Sequence, residues 1–439
     1  MSPNLREIYQ ACNPCQVLDV RRPRDRNYYV DLSDVRGGDP IGDIEAAISL
    51  FSPRVPTYHL LSGQVGSGKS VELLRLQSLL ESRQFQTVYI EVSRYLDMGD
   101  VDVVDAILAI ASDFARAMAA WQIEASSPTL ESILERAKTF VQPFDREISP
   151  SPPTVSHSSL HRLLAECVGR MREYPLQRLQ LRQFLDVQLP TLVEAIARDL
   201  VEVSTEKLRS RGIEGIVLIV DNLDRLANTS KSWGRLQSEY LFVDRGEWLQ
   251  KFGCHAIYTV PIGLLFSKEI GSLQARFDTD PIVLPIVPLY RRDGEINPDG
   301  LNRLKQIVLR RIFPHVPPEA FDLAEFCQDA AAIEQLCRVS GGHVRNLLRL
   351  LHRWIEKERE LPLTRSGLQA AIAERRARIA MSLTETDRTL LEQFAHDATT
   401  QAQAIPNDFL RSGLMLEYRD EGGSWFALDP IVRHELRRD

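Results

Sequence analysis

Five consecutive apolar residues, Ile216–Val220, stand between Gly215 and Asp221. A run this short and this uniformly apolar predicts a strand buried on both faces, as in a parallel sheet. Shorter apolar runs predict further strands: one ending at Leu61 (with Tyr58 and Leu60), and others at 87–92, 254–260 and 281–287. Between them the spacing is helical. Val71, Leu73, Leu74, Leu76, Leu79 and Leu80 predict a helix, and further helices read at about 101–120 and 186–210. Strands alternating with helices predict an α/β domain built on a parallel sheet, over residues 29–299. Within it, 122–185 is polar and mostly helical in pattern, broken at 147–159 (EISPSPPTVSHSS) by a loop or disordered insert. Residues 1–28 read as an N-terminal arm rich in Arg and Asp, and 300–378 as a helical lid. From about 383, two short helices precede MLEYRD and SWFALD, with a hairpin turn at Glu421–Gly423. That order predicts a small winged-helix domain over 379–439.

A chain of 439 residues with 44% apolar and 26% charged residues has ordinary globular composition. The net charge of −7 gives no bulk attraction to nucleic acid or to anionic membrane. No run approaches a membrane span, since Asp102, Asp105 and Asp113 interrupt the most apolar helix. The first twenty residues lack an apolar signal core, so a cytoplasmic location is expected. Cys12-Asn-Pro-Cys15 has the spacing of a metal or redox pair. A structural zinc needs four ligands, and no second close pair stands nearby, so reduced thiols are expected.

The candidate chemistry centres on LLSGQVGSGKSVELLRL, residues 60–76. Gly63-x-x-x-x-Gly68-Lys69-Ser70 has the spacing of a phosphate-cradling P-loop, set between a predicted strand and a predicted helix. Glycines permit the turns that aim successive N–H groups at an anion, and the helix start favours negative charge. The expected nucleotide-binding set is Gly63, Gly66, Ser67, Gly68, Lys69, Ser70 and Val71. Lys69 is expected at the β/γ-phosphates and the Ser70 hydroxyl on Mg²⁺. Asp221 ends a buried strand, where ligands of α/β sheets sit, and is the second expected Mg²⁺ ligand. Asn222 cannot act as a base, so Asp224 is the candidate for activating water. Thr259, at a neighbouring strand end, is a candidate for contacting the γ-phosphate or that water. Arg276 is placed to act on an adjacent subunit's γ-phosphate as an arginine finger. Arg345 falls on the side of its helix opposite the buried leucines, where it could face the nucleotide.

The P-loop, the strand ending in DNLDR (221–225), the Arg-Phe at 276–277 before a strand, and GGHVRN (341–346) together resemble AAA+-related ATPases. The nearest groups are the origin-recognition-like, STAND and KAP ATPases. DNLDR is similar to the KAP pattern, and GGHVRNLL to the sensor-2 helix of origin-recognition-like proteins, with Arg345 at the matching place. The Arg36-Gly37 lead-in is similar to the adenine-side motif of STAND and origin-recognition ATPases, which implies nucleotide contact by Arg36. The resemblance implies an ATP- and Mg²⁺-using P-loop NTPase: an oligomeric switch ATPase with a protein partner, in bacterial signalling or defence. The alternative it implies is a DNA-acting loader. Residues 379–439 carry six Arg and no Lys against eleven Asp and Glu, which disfavours nucleic acid there; 301–378 carry 14 basic against 9 acidic residues. AAA+ proteins usually carry Glu after the magnesium Asp; Asn222 in that place implies slow turnover. KAP proteins often carry membrane spans between the two motifs, and here that interval is polar.

Overall fold

The structure, a computed structural model, describes residues 4–141, 159–316, 321–396, 405–420 and 422–436. The insert expected at 147–159 lies, but for its last residue, outside these. The chain folds as two units, one made of 42–62 and 76–282, the other of 1–41, 63–75 and 283–439.

The first unit holds the sheet. Its strands are β1 (Tyr58–Ser62), β2 (Phe85–Glu91), β3 (Gly215–Asp221), β4 (His255–Thr259) and β5 (Ile282–Val283), in the order β2-β3-β4-β1-β5. β2, β3, β4 and β1 pair in parallel, with Glu91 opposite Asp221, Ile219 opposite Ile257 and Leu61 opposite Thr259. All seven residues of β3 are buried, as an interior strand with two covered faces requires. The α/β fold class expected from the apolar runs is the one observed. The strand expected over 281–287 is only two residues long. Pro281 and Pro285 interrupt that segment and Pro288 follows it, and proline cannot donate to a ladder.

Helix Val103–Ala120 packs on this sheet with nearly every residue buried. The aspartates that interrupt it are each used. Asp102 caps the helix and Asp105 closes the capping box. Asp105 also pairs with Arg182, and Asp113 accepts the Tyr95 hydroxyl at 2.8 Å. Helices Pro128–Phe140, Ser159–Glu173 and Pro175–Val187 fill the described part of 122–185. Among the described residues no helix is long and apolar enough to cross a membrane.

The second unit is largely helical. Helices Pro298–Ile312, Ala330–Val339, Val344–Glu358 and Arg365–Ser382 share a core around Leu304, Leu336, Leu347, Leu351 and Trp354. The N-terminal segment joins that core: helix Leu5–Ala11 contributes Ile8, and Cys12 and Leu32 follow. Burial pushes the Cys12 thiol up to about 12, while Cys15 is exposed. The C-terminal module has helices Glu385–His396 and Asn407–Ser412, then the antiparallel pair β6 (Met415–Asp420) and β7 (Gly423–Leu428). A helix not read from the sequence, Pro430–Leu436, follows. Asp429 starts it by accepting the Ile431 N–H at 2.9 Å, with Pro430 at the first helical position.

Candidate nucleotide site

β1 ends at Ser62, the loop runs from Gly63 to Gly68, and helix Lys69–Ser82 follows at once. Gly63, Gly66 and Gly68 have φ of +145°, +101° and +106°, values that side chains resist. At two of them space also demands glycine. A Cβ on Gly63 would lie 2.4 Å from the Leu284 carbonyl oxygen, and one on Gly66 would lie 2.5 Å from His343 Cε1.

Four of the loop's carbonyls accept side-chain hydrogen bonds. Lys69 Nζ donates to Gly63 O at 2.6 Å and Gln64 O at 2.9 Å. His343 Nε2 donates to Val65 O at 3.0 Å, and Arg36 Nη2 to Ser67 O at 2.6 Å. Within the loop the Ser67 N–H also donates to Gln64 O at 3.0 Å, so the turn is held by main-chain and side-chain bonds together. Two buried polar atoms here, Ser67 Oγ and Arg36 Nε, have no hydrogen-bond partner. Buried polar atoms are normally partnered, so a polar ligand at this loop fits the residues present. A Cβ on Gly68 would meet nothing within 4 Å.

Of the expected binding residues, the structure brings Gly63 to Ser70, Arg36 and Arg345 together. Arg36 is buried, and burial lowers its pKa. Arg345 lies against the loop: its Cβ would be 2.8 Å from a Cβ on Gly66. Val71 turns its side chain to Ala11, Leu18 and Tyr28 of the N-terminal segment. The next residue, Glu72, accepts the Tyr29 hydroxyl at 3.1 Å and Arg75 Nε at 2.8 Å, and Arg75 pairs with Asp39 as well.

The other candidates belong to the sheet-bearing unit. Asp221 is buried at the carboxyl end of β3. Its Oδ2 accepts the Tyr89 hydroxyl at 2.6 Å, and its Oδ1 the Asn222 N–H at 2.7 Å. Asn222 takes a left-handed φ of +73°, which Asn tolerates better than most residues. Its Nδ2 reaches Ser93 Oγ at 3.0 Å and Glu91 Oε1 at 3.3 Å, so it ties the end of β3 to the end of β2. Thr259, fully buried, accepts the Asp224 N–H at 3.4 Å. Arg276, near the end of helix Ile270–Phe277, donates Nε to Val243 O at 2.9 Å and pairs with Glu247 at 2.7 Å.

Four residues at these positions escaped the sequence reading. Gln64 sits at an unspecified position of the loop, and Tyr89 bonds Asp221 from the neighbouring strand. Glu417 donates its backbone N–H to Gln64. His343 carried a usable signal, because a polar residue three before Asn346 at a helix start reads as a cap: its Nδ1 accepts the Asn346 N–H at 3.2 Å.

No known family matches the chain, and no curated protein does. Solved structures do. The chain is similar to ORC2 of Aeropyrum pernix, in ADPNP–ADP complexes, with a TM-score of 0.44 and 11% identity over 98% of this chain and 96% of that one. It is similar to a Walker-type ATPase of Pyrococcus abyssi (0.41, 13%, 94% and 99%) and to Cdc6p of Pyrobaculum aerophilum (0.38, 13%, 98% and 97%).

Proposed function

We propose that the protein binds Mg-ATP at the Gly63–Ser70 loop and acts as a slowly hydrolysing switch ATPase. The observation that carries this reading is the loop itself. Three positive-φ glycines stand in a loop between a parallel strand and a helix, beside two buried polar atoms without partners.

In this reading the loop N–H groups and Lys69 hold the phosphates, Arg36 and Arg345 add positive charge, and Ser70 and Asp221 hold the magnesium. The bound ion would neutralise charge developing on the transferred phosphoryl group. Tyr89 fixes the Asp221 carboxylate by donating to it. Asp224, anchored through its N–H to Thr259, orients water. Asn222 offers no proton acceptor of its own, which accords with slow turnover. The switch role, assembly into homo-oligomers and a protein partner belong to the same proposal, with ATP favouring the assembled state.

A second reading, a DNA-acting ATPase, has one observation in its favour: the excess of basic residues in 301–378. Salt-sensitive duplex binding that maps to that segment would support it.

Calorimetry with Lys69→Ala tests the main reading. The variant should keep the fold and lose tight Mg-ATP binding, because the ammonium expected at the β/γ-phosphates is gone. Unchanged affinity would overturn the site.

A further inference from the structure

Gln64 occupies an unspecified position of the phosphate loop, yet its side chain is buried and engaged at both ends. Nε2 donates to the Leu410 carbonyl at 3.0 Å and the Met415 carbonyl at 2.7 Å. Oε1 accepts the Glu417 N–H at 3.0 Å. A primary amide has two donor hydrogens, and both are used. All three partners are backbone groups of the C-terminal module, in helix Asn407–Ser412 and at the start of β6. The bonds therefore report where that module's main chain lies.

β6 reaches the loop by a second route. The Tyr418 hydroxyl donates to Gly341 O at 2.6 Å, and a Cβ on Gly341 would lie 2.5 Å from Leu416 Cδ1. Gly341 and Gly342 lead directly into His343 and Arg345, which cover Gly66. The strand thus bears on both ends of the same turn of loop.

We propose that Gln64 is a positioning residue that couples nucleotide binding at the loop to seating of the C-terminal module. This rests on the ATP reading above. Fixing a glycine-rich loop loses more backbone entropy than fixing any other sequence. A seated module holds Gln64, and with it the loop, in the anion-binding conformation, so less freedom is lost when phosphate arrives. Coupling is reciprocal: nucleotide that favours the held loop must favour the seated module by the same factor.

The test is hydrogen exchange of residues 405–420 in the full chain, with and without Mg-ADP, beside calorimetry on the same samples. In the wild type, saturating Mg-ADP should slow exchange there by on the order of tenfold. Gln64→Leu, similar in size but without donor or acceptor, should weaken Mg-ADP binding by on the order of tenfold and abolish the nucleotide-dependent slowing. A merely structural role would speed exchange equally with and without nucleotide and leave affinity unchanged, and that result overturns the proposal. Wild-type binding with unchanged exchange also overturns it, and needs no variant to fold. Absence of calorimetric binding by the wild type overturns the ATP reading, and the coupling falls with it.

Discussion

His343 bridges two main-chain segments: its Nε2 donates to the Val65 carbonyl at 3.0 Å and its Nδ1 accepts the Asn346 N–H at 3.2 Å. Together these bonds assign the proton to Nε2 and require a neutral ring. Burial, with Arg345 adding to it, pushes the pKa down from 6.5 to about 3. A base whose folded pKa is depressed contributes stability above its unfolded value, and that stability is lost as pH falls from 6.5 toward about 3.

The matching prediction is a difference in slope. His343→Asn keeps a capping side chain but cannot titrate. Between pH 7 and 4.5 its unfolding midpoint should fall less than that of the wild type. His59 and His255, both held near 4 by burial, titrate in the same range, so the comparison between the two proteins decides. Parallel slopes would mean that the ring does not stay neutral in the folded protein.

What could be read from the sequence divides along a physical line. The phosphate loop and β3 were legible because their geometry is local: glycine supplies its own φ, and an interior strand is apolar on both faces. β5 was overread because an apolar run outweighed the two prolines within it, which cannot donate to a ladder. Gln64 and His343 were opaque as loop contacts for a different reason. Their partners stand 346 and 278 residues away, and a polar side chain carries no mark of a distant carbonyl. Tyr89 falls between these cases: parallel register sets Glu91 beside Asp221, which places Tyr89 two residues back, within reach of the carboxylate.

Asp221→Asn should lower Mg²⁺-dependent phosphate release at least about tenfold while nucleotide binding persists, since a neutral amide no longer holds the ion. Tyr89→Phe removes only the hydroxyl that fixes the carboxylate, so its loss should be smaller and in part recovered at high Mg²⁺. Asp224→Asn should slow turnover by an amount similar to Asp221→Asn or less. Wild-type hydrolysis in Asp224→Asn would make Asp224 a purely structural residue.

Glu417 gives the C-terminal module its own pH dependence. Its carboxyl is buried, Ser424 Oγ donates to Oε1 at 2.6 Å, and Oε2 has no partner. Burial raises the pKa from 4.5 to about 7, against the opposing pull of that hydroxyl and of Arg419. A raised acid contributes stability below its unfolded pKa, and the contribution is lost as pH climbs through about 7. Hydrogen exchange of β6 and β7 should therefore quicken from pH 5 to 7.5, after correction for intrinsic rates. Glu417→Gln should flatten that rise. Asp429, near Arg375 and raised to about 6 by burial, has the same sign and should leave a residual slope. A slope unchanged by Glu417→Gln would show that the carboxyl is already ionised at pH 5.

The last prediction concerns Arg276. Its pair with Glu247 is half-exposed, 38% at both side chains, and such a pair contributes at most about 1 kcal/mol. Arg276→Ala should thus fold normally, so a change in turnover would report function rather than stability. If Arg276 is a finger acting on a neighbour's ATP, the variant should bind ATP normally and hydrolyse it slowly. Lys69→Ala cannot bind ATP but keeps its own Arg276. Mixing the two impaired proteins should then restore part of the activity, because the Arg276→Ala copies bind ATP and the Lys69→Ala copies supply the guanidinium. An arginine acting within its own chain, or serving only to hold Glu247, gives no rescue at any ratio. The measurement is phosphate release across mixing ratios, at a concentration where light scattering confirms assembly. Strictly additive rates would leave Arg276 as a surface residue holding Glu247 and the Val243 carbonyl.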